Sequence, residues 1–348
     1  MKLTMKWAFV LTIGLGLVMG VLPLGAMAKT TFSGFVDMSW SYDDISEDNT
    51  FALDEVELDI ESELTPWAGL RTDINFLEGE DHSDADVILE QGYITLALPL
   101  PIDTTFQFGK FNAPIGWELL DPIDTYQFSS SLVFVNGTPT NLTGAMVLMT
   151  FNPMFDLSVY VVNGWDNISD NNDMKTFGGR LGITPVRGVN IGLSAITGPE
   201  QDDNDSDYRT VFDLDFTLEL IPHLLIGGEF NYGMEEDLAA GGGDAEWLGG
   251  FVTLHYDFTE VLGLTLRAGV FDDQDGSRLG QEETRTALTL APTFDLAKGV
   301  AFLLEFRYDH SDEDVFTESD GDMTDDMVSV AVEFIFSWDE AFELVATR

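Results

Sequence analysis

The 348 residues carry 62 acidic side chains against 15 basic ones, a formal charge of −47, and that balance excludes nucleic acid as a partner, because phosphate contacts need cations. With no cysteine there is neither a disulfide framework nor a thiolate metal centre. So acidic a chain would be disordered at low apolar content, but 45% hydrophobic and 12% aromatic residues are enough for a fold.

Residues 1–28 have the layout of a secretory signal. Lys2 and Lys6 precede an apolar core from Trp7 to Leu24, and Ala26-Met27-Ala28 is a small-x-small cleavage site. Cleavage near Ala28 leaves Lys29 first and a single domain, 29–348, delivered across the inner membrane. No later apolar run reaches about 18 residues, so helical membrane spans are excluded.

From Thr31 to Tyr42 the even positions are Phe32, Gly34, Val36, Met38, Trp40 and Tyr42, and the odd ones include Ser33, Asp37, Ser39 and Ser41. That is period two, a strand with unlike faces. The next segment alternates Glu55, Glu57, Asp59, Glu61 and Glu63 with Val56, Leu58, Ile60, Ser62 and Leu64. A helix would scatter these carboxylates, whereas a strand sets them on one face. Continued along the chain, the pattern predicts sixteen strands: 31–42, 51–64, 67–77, 87–98, 103–111, 143–151, 155–165, 174–184, 189–197, 208–220, 224–234, 247–258, 263–271, 284–294, 300–310 and 325–337.

Connectors after even strands are short turns such as Thr65-Pro66, Pro185 to Gly188 and Ile221-Pro222-His223. Those after odd strands are long and acidic, such as Asp43 to Thr50, Glu200 to Asp207 and Asp272 to Glu283. An up-and-down transmembrane β-barrel produces this alternation, with turns at one rim and loops at the other. Apolar residues then face lipid, as in Phe212, Leu214, Phe216 and Leu218, or Val328 through Trp338. Trp40, Tyr42, Trp67, Tyr256, Phe258 and Tyr308 suit interfacial girdles.

One segment departs from the pattern. Between the strand Thr104–Phe108 and Gly144 runs a long stretch without periodicity, yet rich in packing residues: Pro114, Trp117, Leu119, Leu120, Pro122, Tyr126, Phe128, Leu132, Phe134 and Pro139. Loops of that length are functional or disordered, and this composition argues against disorder. The expectation is that it folds into the lumen and narrows it.

At Phe108-Gly109-Lys110-Phe111 and Ile115-Gly116-Trp117-Glu118, with Phe128-Ser129-Ser130-Ser131-Leu132, Thr143-Gly144 and Val162-Asn163-Gly164-Trp165, the chain resembles the OmpL-like β-barrel porins of Gram-negative outer membranes. The resemblance implies a passive outer-membrane channel whose third long loop bends inward. The resembled porins often carry Arg in the Ser-rich segment; Ser129, Ser130 and Ser131 stand here without one, so anion selectivity is not carried over.

Strand phase places acidic lining at Glu55, Glu57, Asp59, Glu61, Asp73, Asp213, Asp215, Glu305 and Asp309, among others, against Arg71, Arg180, Arg209, Arg267, Arg285 and Arg307. The excess favours cations as the diffusing species. In the inward loop Glu118, Asp121 and Asp124 are the constriction candidates, opposed by Arg71, Arg180 or Arg307; Glu118 is equally readable as a buried structural acid. The expected function is passive diffusion of small hydrophilic solutes, with outer-membrane lipid around the barrel and a homotrimer as its assembly. A plugged barrel whose acidic external loops act at the surface is the competing expectation. The four histidines fall at scattered positions, so no catalytic constellation is expected, nor any cofactor or metal; Asp273, Asp275, Gly276 and Glu282 approach a calcium-loop pattern but have Phe271 at the first ligand position.

Overall fold

The computed structural model describes residues 29–78, 85–239 and 241–343; the expected signal segment lies outside the described residues. The chain forms β1 (Lys29–Asp43), β2 (Asn49–Thr65), β3 (Ala68–Glu78), β4 (Ala85–Ala97), β5 (Asp103–Asn112), β6 (Asn141–Asn152), β7 (Phe155–Val162) and β8 (Thr176–Val186). It continues with β9 (Val189–Pro199), β10 (Tyr208–Ile221), β11 (Leu224–Glu235), β12 (Ala245–Asp257), β13 (Leu262–Asp273), β14 (Glu283–Ala297) and β15 (Val300–Ser311). A two-residue pair, β16 (Phe316–Thr317) with β17 (Met323–Thr324), decorates the last external loop before β18 (Asp326–Glu343). Each expected strand is present, and the β16–β17 pair is an addition that its short segments did not announce.

Fifteen antiparallel neighbours run in chain order, and β1 closes on β18 from Lys29↔Glu343 to Asp43↔Ser329. Closure gives every barrel strand two partners, so no row of backbone amides is left facing hydrocarbon. The short rim uses turns with left-handed residues: Gly188 at φ 81°, Gly299 at φ 72° and His223 at φ 67°. Gly299 is also sterically required, because a Cβ there would stand 2.2 Å from the Ser337 carbonyl oxygen.

Alternation decides the two faces. In β10, Phe212 and Leu214 are exposed on the outer surface while Asp213 and Asp215 are buried on the inner one. In β15, Phe306 and Tyr308 face out, and Glu305 and Asp309 face in. A bilayer accepts that outer band because its apolar side chains meet lipid and the polar ones stay in the lumen.

The segment between β5 and β6 crosses the barrel. It carries a 3-10 turn at Pro122–Asp124 and one helix, α1 (Leu132–Gly137). Ser131 caps α1, its Oγ accepting from Phe134 N at 3.0 Å. The described core lies where this loop meets the wall: Phe111, Ile115, Leu132, Val133 and Leu142 cluster with Val211, Trp247, Phe251 and Phe271. Thus the largest apolar cluster among the described residues lies inside the lumen, where the loop meets strands from β5 to β13.

Candidate functional site

The loop is held against β10–β15 by charge-assisted hydrogen bonds, which are stronger than neutral ones. Glu118 accepts from Arg267 Nη1 at 2.6 Å, from Gln127 Nε2 at 3.0 Å and from Ser131 N at 2.7 Å. Arg267 Nη2 also donates to the Ser129 carbonyl at 2.7 Å, and Arg307 Nη1 to that of Ser130 at 2.8 Å. Glu305 accepts from Ser129 N at 3.1 Å, and Glu229 from Trp117 N at 2.7 Å. Further out, Arg278 Nε donates to the Asn136 carbonyl at 2.6 Å while its guanidinium stacks between Trp165 and Trp247.

Shape complements charge at the same wall. Trp117 donates from Nε1 to Thr217 Oγ1 at 2.9 Å, and its ring meets Phe251 edge-on at 5.9 Å. The ring fits only because Gly227 has no side chain: a Cβ there would lie 2.1 Å from the indole. Gly249 makes equivalent room for Val133 of α1.

Beside the loop a cavity of about 670 Å³ is left open. Its lining includes Arg71 of β3, Arg180 of β8 and Asp215 of β10, with Glu118, Asp121 and Asp124 from the loop. Arg71 is the most accessible of these arginines, its side chain 34% exposed. Asp121 is pushed up to about 8 by burial and by the nearby Glu90, Asp124, Glu55 and Asp59 carboxylates. Burial also raises Asp124, against the opposing pull of Arg71.

The structure therefore brings together Asp121, Asp124, Arg71 and Arg180 around one opening. Glu118 touches that opening but is 5% exposed and bound to Arg267, the structural of its two readings. Arg307 is turned into the contact between loop and wall, where it also pairs with Asp309 at 2.7 Å. Of the acidic lining, Glu61 is exposed and Glu55 and Asp59 are half-buried, whereas Glu57, Asp73, Asp213, Asp215, Glu305 and Asp309 are buried. The near-calcium loop is explained otherwise: Asp273, fully buried, accepts from the backbone N–H groups of Ser277, Arg278 and Leu279 and so closes its own turn.

Each of the six luminal arginines has a carboxylate partner. Arg71 pairs with Asp73 and Asp59, Arg180 with Asp215, Arg209 with Glu235, Arg267 with Glu118, Arg285 with Glu283 and Arg307 with Asp309. Two acidic residues escaped the period-two reading because bulges present them. The register shifts by one between Asp37/Met38 and Glu55/Leu53, inserting Asp54, and between Asp73/Ile74 and Gln91/Leu89, inserting Glu90. The available signal was two polar residues in succession, Asp54-Glu55 and Glu90-Gln91, each after apolar ones.

Several solved barrels share this architecture. OmpT, expressed in the outer membrane of Vibrio cholerae, superposes with a TM-score of 0.67 at 13% identity, over 91% of this chain and 100% of that one. An anion-selective porin from Comamonas acidovorans gives 0.68 at 11% identity, over 89% and 100%. The outer-membrane channel DcaP of Acinetobacter baumannii gives 0.65 at 11%, over 90% and 99%. No curated protein matches the chain in sequence. A family model does match, across residues 29–338, and it is that of beta-barrel porin-2, OmpL-like. With that model spanning nearly the whole barrel, the chain belongs to the OmpL-like β-barrel porin family, a family of outer-membrane channels.

Proposed function

We propose that this porin lets small hydrophilic solutes diffuse passively through the opening beside the inward loop, with cations preferred over anions. One observation carries the preference: each luminal arginine is already paired with a carboxylate. Acidic residues such as Glu55, Glu57 and Glu61 stand in excess of those pairs. A low-dielectric wall of one sign concentrates counter-ions at its mouth. The fold is shared with an anion-selective porin, so the sign of selectivity is read from the lining and not from the architecture.

Asp121 and Asp124 on the loop, with Arg71 and Arg180 on the wall, form the constriction in this reading. Opposed charges there set a transverse field that orients polar solutes in transit. We further propose that residues 1–28 are removed at Ala28 and that the barrel assembles as a homotrimer in outer-membrane lipid, a form in which OmpT of Vibrio cholerae has been solved.

The test is single-channel recording in a planar bilayer under a KCl gradient. Stable steps with a reversal potential displaced toward that of potassium are expected. Displacement toward chloride would overturn the cation preference, and folded barrels without steps would overturn the open channel in favour of a plugged surface barrel.

A further inference from the structure

On its other side the inward loop leaves a second space, a cavity of about 290 Å³ between the Pro122–Asp124 turn and the wall of β14, β15 and β18. Two registered rows of that wall line it: Thr293, Leu303 and Glu333 in one, Asp295, Ala301 and Ile335 in the next. Strand phase puts these rows on the luminal face, where Leu303 stands with Glu305 and Ile335 with Glu333. Pro122 and Ile123 close over them from the loop, while Asp121 and Asp124 on either side line the larger opening.

Apolar side chains on this face need a reason, because further along it β15 carries Glu305, Arg307 and Asp309 and β18 carries Ser329. Here Leu303, Ala301 and Ile335 line the same space as Ile123, which is 41% exposed, and none of them belongs to the cluster that seats the loop. A concave, mainly apolar space with a few placed polar groups is the form that small-molecule sites take. Its charged groups have one sign. No arginine or lysine lines it, and neither Glu333 nor Asp295 forms an ion pair among the described residues. A further carboxyl, Asp37, stands beside Glu333. His255, 7% exposed, adds no free N–H: Nδ1 meets Thr265 Oγ1 at 2.9 Å, Nε2 meets Asp257 Oδ1 at 3.0 Å, and its ring lies 4.4 Å from that of Tyr126.

We propose that this cavity binds small amphipathic organic cations, the apolar body lying among Ile123, Leu303 and Ile335 and the ammonium group at Glu333. The neighbouring residues match those two halves, since Leu303 is the register partner of Glu333 and Ile335 lies two positions along the same face. An ammonium donates a charge-assisted hydrogen bond to the carboxylate. An anion of the same shape meets like charge there and again at Asp295, on the short-turn side of the cavity. A bare metal ion gains nothing from the apolar half. The occupant would be held between the Pro122–Asp124 turn and β18, on the side of the loop away from Asp124 and Arg71.

The test is calorimetric titration of the full chain in lipid nanodiscs, with empty discs subtracted, using cyclohexylammonium chloride, cyclohexanol and sodium cyclohexanecarboxylate. Saturable binding of the ammonium is expected, about tenfold or more tighter than that of the alcohol, with the carboxylate weakest. Glu333→Gln should bring the ammonium to the affinity of the alcohol and leave the alcohol where it was. Ile335→Thr should weaken both by roughly tenfold, and so should Ile123→Asn, which changes an exposed turn and leaves the wall intact. Asp124→Asn should change neither. Heat-modifiable gel mobility checks the fold of each variant. Absence of saturable binding, carboxylate bound as tightly as ammonium, or parental affinities in Ile123→Asn and Ile335→Thr would overturn the assignment. The cavity needs only a water-filled lumen and calorimetry needs no conduction, so a failure here leaves the channel reading untouched.

Discussion

Replacing Arg267 by Met is the sharpest perturbation of the loop. Arg267 Nη1 stands 2.6 Å from Glu118 Oε1, and both side chains are 2% exposed, so water screens little of the pair. Without the guanidinium, Glu118 keeps only Gln127 Nε2 and Ser131 N as donors, and the Ser129 carbonyl loses one. Removing one partner of a buried pair costs about 3–5 kcal/mol, chiefly through the charge left behind. At about 1.4 kcal/mol per factor of ten, the ratio of docked to undocked loop falls by roughly 100- to 4,000-fold. Glu118→Gln/Arg267→Met removes both charges and should recover most of that loss. Single-channel recordings report the loop directly: larger, noisier steps are expected for Arg267→Met, and nearly parental ones for the double variant. Parental steps from Arg267→Met, or a double variant no closer to the parent than the single, would refute the clamp.

The remaining predictions concern shape and charge. Gly227→Val places a branched side chain where Trp117 lies, 2.1 Å from a Cβ, so it should displace the loop and raise conductance and noise; an unchanged trace would remove the slot from the argument. Trp117→Ala removes a half-buried ring and should cost up to about 3 kcal/mol of loop docking, below the range for a fully buried aromatic, read as the same rise in noise and as easier proteolysis within 113–140. Asp124→Asn should move the reversal potential under a KCl gradient toward zero, and an unmoved potential would place selectivity elsewhere in the lumen. Arg71→Gln frees Asp73 and Asp59 from their partner and should move the potential further toward potassium.

The wall was legible in the sequence because a barrel strand has only two environments, and period-two alternation records both. Phe212, Asp213, Leu214 and Asp215 show this residue by residue. The loop was legible only as a category. Its aromatic and proline content announced packing, but periodicity says nothing about which wall a segment meets. Arg267 was visible as luminal, yet its partner stands 149 positions earlier, a pairing that only the closed barrel brings about. The bulges hid Glu90 for a different reason: one inserted residue lets two neighbours share a face, and a strict count of two then assigns one of them wrongly. Ser131 as an N-cap was a readable start signal for α1, but six residues of helix are too few to show a period.

These two failures of legibility fall on different arcs of the lumen, with β18 and β1 between them, and together they describe its electrostatics. On the β13–β15 side, Arg267 and Arg307 are turned toward loop carbonyls and Glu118, so their charge is used in holding structure. On the β2–β4 side, bulges add Asp54 and Glu90 to an already acidic face. The opening itself is lined by the loop and by residues of β3–β5 and β8–β11, with Arg71 and Arg180 paired to wall carboxylates. A passing anion meets Arg71 and Arg180 already shared with carboxylates, whereas Glu55, Glu57 and Glu61 of the β2–β4 wall carry no ion pair among the described residues. That asymmetry, more than the overall charge of −47, is the physical ground for cation preference, since external acidic loops beyond a Debye length of about 8 Å act on the constriction only weakly at physiological salt.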